Sequence, residues 1–355
     1  MANTKRQITF FSIRVTSSIL LVVIGVQFHH ASSATSAPSL YEIGPMNIFR
    51  DQITLSGFSA GASMAIQTHL SHSSLFSGLA VFSQVFYHCG HRSLIDFGIR
   101  CSKTGLGLFP YSVSNSISDA KEYDRKGLID PLVNVAKQQI FIWTGDLDAY
   151  IPSDMAKKNV EFYKGVGVDP NNIRFTIFKN ASHLIPTDDF GPACNEDAGD
   201  SLYLGNCNYP GVYHAFSYIL KNNSLAQAVP HQAQLMMYNQ SAFYPNGNIK
   251  DVAMGTAGFI YIPKQCETQQ CRLHLNFHGC NEWPPHIAEQ YILHSGFLPV
   301  AEANGIIVVF PLTTKVPKNM DGCWDFFSYT GSNFATKKGA QIQVIERMLN
   351  KILSG

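Results

Sequence analysis

Charged side chains are scarce in this chain. Only 14% of its 355 residues are Asp, Glu, Lys or Arg, and 26 basic groups against 25 acidic ones leave a net charge of +1. A nucleic-acid binder carries a basic surface, so this composition argues against a nucleic-acid partner. The basic residues before position 35 are Lys5, Arg6 and Arg14, with no acid beside them; without that segment 23 basic groups face 25 acidic ones, a balance of −2. Long apolar runs are lacking too. The run SSILLVVIGV at 17–26 falls short of the about 20 residues that span a bilayer. It stands between that basic stretch and the small-residue stretch ASSATSA at 31–37, which is the three-part pattern of an export signal. We expect residues 1–34 to be a signal peptide cut near Ala34, and residues 35–355 to be secreted or periplasmic, with no stable membrane anchor. Internal repeats and low-complexity linkers are missing as well, so 35–355 reads as a single domain.

What is plentiful fits export. Cys89, Cys101, Cys194, Cys207, Cys266, Cys271, Cys280 and Cys323 form an even set within the mature segment, and an even set in an oxidising compartment reads as disulfides. Zinc would want CxxC pairs or a dense His/Cys cluster, so no metal is expected. Sequence does not determine the connectivity. Neighbours in the chain suggest Cys89 to Cys101, Cys194 to Cys207 and Cys266 to Cys271, which would leave Cys280 for Cys323. The 24 Phe and 15 Tyr suit a protein that presents aromatic surface to an uncharged partner. The sequons Asn180, Asn222 and Asn239 match the glycosylation pattern. A glycan on Asn180 would crowd any cleft at the neighbouring His183.

Short β-branched and aromatic runs recur between Gly, Pro and Asn: ITLS (53–56), LAVFSQV (79–85), QIFIWTG (139–145), IRFTIFK (173–179), FIYIP (259–263), RLHLNFHG (272–279) and GIIVVFP (305–311). These are strand signals. Helical patterns follow the first and third, and KKGAQIQVIERMLNKIL closes the chain. Strands alternating with helices predict an α/β fold with a mostly parallel central sheet flanked by helices. The stretch from about 222 to 251 is polar and irregular, and reads as an insertion or a long surface crossing.

Between the first strand and its helix lies GFSAG, a GxSxG motif made by Gly57, Ser59 and Gly61. A serine on a sharp strand-to-helix turn exposes its hydroxyl, and the glycines let the backbone pass its neighbours. The helix N-terminus behind it favours negative charge and offers the Ala60 amide to an oxyanion. Serine needs a base held by an acid. Asp148 follows the strand QIFIWTG, and His183 follows the next strand, IRFTIFK. Asp146 rivals Asp148, but the GxxDxxxP spacing favours the latter. The chain order Ser59, Asp148, His183 is that of α/β-hydrolases.

One element is out of order. The loop HGC (278–280), a source of the second oxyanion amide, lies more than 200 residues after the serine instead of before it. Joining the C-terminus to the mature N-terminus would restore the standard order, so we read a circular permutation, which exposed and adjacent termini permit.

With that order in place, the chain resembles secreted polyhydroxybutyrate depolymerases of the circularly permuted α/β-hydrolase type over nearly all of the mature length. The resemblance rests on GFSAGASMA, GDLDAYIP, SHLIPTD, CNY at Cys207, FIYIPKQC, HGCNE and GCWDFFSYTG followed by ATKKGAQI. It implies Ser59 as nucleophile, His183 as general base, Asp148 as its orienter, oxyanion amides from Ala60 and Cys280, and Trp324 lining the substrate cleft. It also supports a Cys280 to Cys323 bridge. Glu282 stands where a Gln was expected, the aromatic run reads WDFF, and the Cys194–Cys207 segment departs from the family pattern.

The implied activity is that of a serine esterase, without cofactor, acting as a monomer on a neutral aliphatic polyester, with poly(3-hydroxybutyrate) first. No separate substrate-binding domain is expected within 35–355. Two other readings remain: a feruloyl or acetylxylan esterase on a related fold, and a catalytically silent exported binding protein. Phe326 and Phe327 read equally as core or as cleft.

Overall fold

The fold is described from a computed structural model, in which residues 40–355 are described apart from 92, 102–111, 198–201 and 246–247. The expected signal peptide lies outside the described residues.

Among the described residues, ten strands and nine helices follow in chain order: β1 (Ile48–Phe58), α1 (Ala60–Ser71), β2 (Gly78–Phe82), α2 (Leu94–Arg100), α3 (Val113–Arg125), β3 (Gln139–Gly145), α4 (Ser153–Gly165), β4 (Ile173–Phe178), β5 (Ile185–Thr187), β6 (Leu204–Asn206), α5 (Gly211–Ile219), β7 (Leu235–Asn239), α6 (Ile249–Val252), β8 (Ala257–Tyr261), β9 (Cys271–Phe277), α7 (Pro285–His294), α8 (Phe297–Asn304), β10 (Ile306–Phe310) and α9 (Ala340–Ile352). Eight of the strands form one sheet in the order β4-β3-β2-β1-β9-β10-β8-β7. It is parallel from β4 to β10, while β8 and β7 run antiparallel at one edge. β5 and β6 form a small separate pair.

A sheet covered on both faces should have strands with near-continuous apolar runs; β2 and β10 are apolar throughout, and β1 and β9 add the buried polar residues Thr54, Ser56, His274 and Asn276. Along β3, Ile140 and Ile142 enter one core while Phe141 and Trp143 enter the other; β10 divides Ile307 and Val309 from Ile306 and Val308 in the same way. The first layer includes α1, α4 and α9, and the second α5, α7 and α8. In α9 the buried residues Gln341, Ile342, Val344, Ile345, Met348, Leu349 and Ile352 recur mostly at three- and four-residue intervals, which lays one broad stripe on the sheet. α1 is different. All twelve of its residues are buried, which follows from its place directly behind the central strand.

The permutation is visible in the sheet. β1 to β4 build one half, β7 to β10 the other, and the halves meet where β1 pairs with β9. The chain ends of the folded part adjoin: Met46 N–H donates to Ile352 O over 2.8 Å, and Arg50 Nη2 donates to Gly355 O over 3.0 Å. This is an α/β-hydrolase fold whose chain enters at the nucleophile strand.

One expectation needs correction. The polar stretch 222–251 contains β7, which joins the main sheet as its edge strand. Its residues are mostly half-buried, and an edge strand needs neither β-branching nor strict alternation to be held by one neighbour. The four disulfides are Cys89–Cys101, Cys194–Cys207, Cys266–Cys271 and Cys280–Cys323.

Candidate active site

The turn after β1 is forced by close backbone packing. A Cβ on Gly57 would lie 2.2 Å from Gly61 O, and one on Gly61 would lie 2.0 Å from Phe277 O at the end of β9. Only glycine lets these segments touch. Ser59, between them, has φ 54° and ψ −120°, a region that non-glycine residues occupy at a cost of order 1–3 kcal/mol. Its N–H is fixed to Phe82 O of β2 at 3.0 Å, and its side chain faces the cleft above the C-terminal ends of the parallel strands.

The two strands beyond β2 supply its partners. Asp148 lies after β3 and is almost fully buried; its Oδ1 accepts N–H bonds from Tyr150 at 2.9 Å and Ile151 at 2.7 Å. These donors hold a carboxylate without adding a competing charge. Its other oxygen, Oδ2, lies 2.7 Å from His183 Nδ1, and His183 Nε2 lies 3.0 Å from Ser59 Oγ. The loop carrying His183 lies across the end of β3: a Cβ on Gly145 would sit 2.1 Å from Ala181 O, and Leu147 N–H donates to that same oxygen at 2.9 Å. Phe58, Tyr150 and Tyr203 surround the imidazole, with ring centroids 4.8, 5.1 and 5.9 Å away. Asp146, the alternative acid, is exposed and caps the next loop by accepting Asn180 N–H at 2.7 Å.

The HGC loop arrives beside Ser59 from β9. His278 is buried, with Nδ1 2.6 Å from Gly279 O and Nε2 3.2 Å from Thr313 N. The first contact requires a donor and the second an acceptor, so the ring is neutral with its proton on Nδ1. Burial holds its pKa down at about 4. Gly279 N–H donates to Glu282 Oε2, and Asn281, at φ 66°, donates to Asp321 O at 2.7 Å. Cys280 lines the cleft and is bonded to Cys323. Ala60 begins α1, where the first N–H groups have no partner within the helix.

The cleft encloses about 390 Å³. Its walls are chiefly apolar: Leu94 and Phe97 from α2, Tyr150 and Ile151 from the acid loop, Tyr203, and Phe326. Trp324 is not among them, which corrects the expectation that it lines the cleft. It is fully buried, packed edge-on against Phe277 at 5.1 Å and beside His278 at 5.6 Å, and so buttresses the HGC loop from beneath. Phe326 is the cleft residue of the run, while Phe327 is buried against Phe326 and Tyr329.

Two contributors were missed in the sequence. Asp325 is buried, which raises its pKa, and its carboxylate gathers the N–H groups of Phe327, Tyr329 and Thr330 and the Thr330 hydroxyl. It thereby shapes the loop that presents Phe326. A run of loop N–H groups converging on one Asp is the only signal, and it is not readable without the fold. The second is α2, whose wall residues follow no motif; the Ser93 side chain caps it by accepting Asp96 N–H at 3.1 Å.

Fold and geometry together define a serine-hydrolase type of site: a nucleophile elbow, a His bridged to a buried Asp, and a second loop beside the serine. Comparison with known proteins narrows the class. No family model matches the chain. It is 27% identical over 342 residues to a poly(3-hydroxybutyrate) depolymerase of Delftia acidovorans, covering 92% of this chain and 67% of that one. It is 26% identical over 340 residues to a polyhydroxybutyrate depolymerase of Talaromyces funiculosus, covering 91% and 94%. The crystal structure of the PHB depolymerase from Penicillium funiculosum superposes with a TM-score of 0.77 at 24% identity, over 88% of this chain and 99% of that one. A PHB depolymerase complexed with an R3HB trimer gives 0.78 at 23% identity with the same coverage. The chain is thus a homologue of polyhydroxybutyrate depolymerases, with their fold.

Proposed function

We propose that this protein is a carboxylic ester hydrolase that cleaves poly(3-hydroxybutyrate) or its oligomers through an acyl-enzyme on Ser59. One observation carries the reading: His183 lies within hydrogen-bond reach of both Ser59 Oγ and Asp148 Oδ2, at 3.0 and 2.7 Å, at the floor of an apolar cleft. The names of its homologues supply the substrate class.

In this mechanism Ser59 Oγ attacks the ester carbonyl carbon while His183 Nε2 takes the hydroxyl proton. Asp148 keeps the imidazole in the tautomer that can accept it. The Ala60 and Cys280 amides hold the oxyanion, a contribution on the order of a hundredfold per donor. The tetrahedral intermediate collapses, the alcohol leaves with the proton from His183, and water activated by the same His183 releases the acid. The short aliphatic repeat of a polyester meets Leu94, Phe97, Tyr150 and Phe326 without presenting charge. The protein acts as a monomer outside the cytoplasm, secreted or periplasmic, after removal of residues 1–34; its four disulfides suit that compartment. Among the described residues no helix is long and apolar enough to cross a membrane.

The test is product analysis on polyester film, hydroxybutyrate oligomers, feruloylated xylan and acetylxylan, with Ser59→Ala as control. Hydroxybutyrate release by the wild type alone supports the reading. Faster release of ferulate or acetate would move the assignment to a carbohydrate esterase. Equal activity of Ser59→Ala would remove the nucleophile.

A further inference from the structure

Beneath the HGC loop lies a carboxyl group that the mechanism does not use. Glu282 is 1% exposed. Its Oε2 accepts the Gly279 N–H, and a Cβ on Gly279 would lie 2.8 Å from the Phe58 ring and 3.0 Å from that oxygen. The peptide preceding Cys280 is therefore wedged between an aromatic ring and a carboxyl group. Oε1 is buried without a hydrogen-bond partner. The ionisable groups around it are Tyr291 on α7 and Tyr203 before β6, both of which feel its charge, together with the neutral His278 just after β9 and Asp321, whose carbonyl binds Asn281. No lysine or arginine pairs with it among the described residues.

A buried carboxylate with no cation and an unpartnered oxygen is held at a penalty of several kcal/mol. A carboxylic acid in the same place carries no charge: Oε2 still accepts the Gly279 N–H, and a proton on Oε1 leaves one neutral O–H without an acceptor, a smaller cost than a buried unpaired charge. The acid form is therefore the less costly of the two.

We propose that Glu282 is a positioning residue that works as a neutral carboxylic acid, its carbonyl oxygen anchoring Gly279 N–H so that the next amide, that of Cys280, is presented to the reacting ester. The proposal rests on the esterase reading above. Ionisation would set a negative charge behind the oxyanion donor and oppose the charge that develops in the transition state. Burial pushes the Glu282 pKa up to about 8, so the acid form persists through neutrality and the site fails as the pH rises beyond it.

The experiment measures kcat and KM on a soluble nitrophenyl ester from pH 6 to 10.5 for the wild type, Glu282→Gln and Glu282→Ala. The wild-type kcat should fall by roughly tenfold per pH unit above about 8. The conservative Glu282→Gln should rescue the loop, keep kcat within about threefold at pH 7, and hold it beyond pH 9. Glu282→Ala should lower kcat by roughly ten- to a hundredfold at every pH with little change in KM. A readout without turnover accompanies these. Because the folded-state pKa lies above the ordinary glutamate value of 4.5, the wild type loses stability relative to Glu282→Gln as pH rises from there, until the folded group ionises near 8. The difference in Tm should therefore widen between pH 5 and 8. An alkaline limb unchanged in Glu282→Gln, or a Tm difference independent of pH, overturns the proposal. If no ester is hydrolysed and a fluorophosphonate leaves Ser59 unlabelled at every pH, the esterase reading itself falls, and the Tm series tells that failure from this one.

Discussion

Cys280 and Cys323 are 43 positions apart in the chain, and their α-carbons lie 4.2 Å apart. The bond joins the loop beside Ser59 to the segment that carries Phe326, so one crosslink braces two walls of the cleft. Replacing both cysteines by serine should lower stability by about 2–4 kcal/mol, the range for closing a loop of this size. It should also reduce kcat on a soluble ester more than it changes KM. Denaturant unfolding and steady-state kinetics check both; an unaltered kcat would show that the loop holds its place without the bond.

Asp148→Asn leaves the hydrogen-bonding shape in place but removes the charge that orients His183 and stabilises its protonated form. We expect kcat to fall by on the order of 10⁴ with the Tm within a few degrees of wild type. Asp146→Asn should leave the rate within about twofold, because Asp146 is tied to Asn180 outside the site. Rates on a chromogenic ester separate the two, and the assignment of the acid reverses if Asp146 is the sensitive position.

Gly61→Ala places a methyl against backbone at both Phe277 O and His278 O, at 2.0 and 2.3 Å. Neither neighbour is a flexible side-chain end. The change should destabilise the protein by several kcal/mol and abolish activity. Wild-type yield and Tm for this variant would mean that the junction of β1, α1 and β9 is looser than described.

Leu94 is 53% exposed on the cleft wall, whereas Trp324 is fully buried. Leu94→Ser should raise KM for apolar esters by roughly three- to tenfold at unchanged Tm, since little buried area is lost from the fold. Trp324→Ala should lose about 3–5 kcal/mol of stability. Matching effects from the two variants would contradict their assigned places.

Three fully buried histidines with strongly lowered values contribute to the response to acid. Burial lowers His69 to about 4, His274 to about 3 and His278 to about 4 from an unfolded value of 6.5. Depressed folded-state values mean that stability is present above pH 6.5 and lost as pH falls toward 4, with each histidine adding up to about 1.4 kcal/mol per pH unit. His274 holds Thr54 and Ser56 at 2.8 and 2.7 Å. His274→Gln should therefore lower stability at pH 7 yet flatten its decline between pH 6 and 4. Urea midpoints across that interval test this, and parallel slopes would sink it.

Much of the geometry of the candidate site was legible because its residues lie in local motifs at strand ends. Ser59, Asp148 and His183 each follow a strong strand signal, and parallel strands deliver their C-terminal ends to one side of a sheet. The strand signals also located the displaced HGC loop, and with it the permutation. What failed depended on depth. An aromatic residue such as Trp324 fills a core or lines a cleft with equal chemical ease, and only the position of Phe277 and His278 beneath it decides. β7 escaped because its side chains answer to one neighbouring strand rather than to a covered sheet. Glu282 was visible as a departure from the family pattern, yet its work could not be read, because a carboxyl group is recognised as neutral only once its surroundings are known.

The pairing of β1 with β9 has a consequence during synthesis. The nucleophile strand leaves the ribosome early, and its central partner, 271–277, follows more than 200 residues later. Until then β1 is an open apolar edge of a half-sheet, a template for pairing with other chains. Under the export proposed above, a protein that cannot close its middle until its second half is made would gain from crossing a membrane unfolded and assembling on the far side, where Cys280 and Cys323 would be oxidised once β9 has docked.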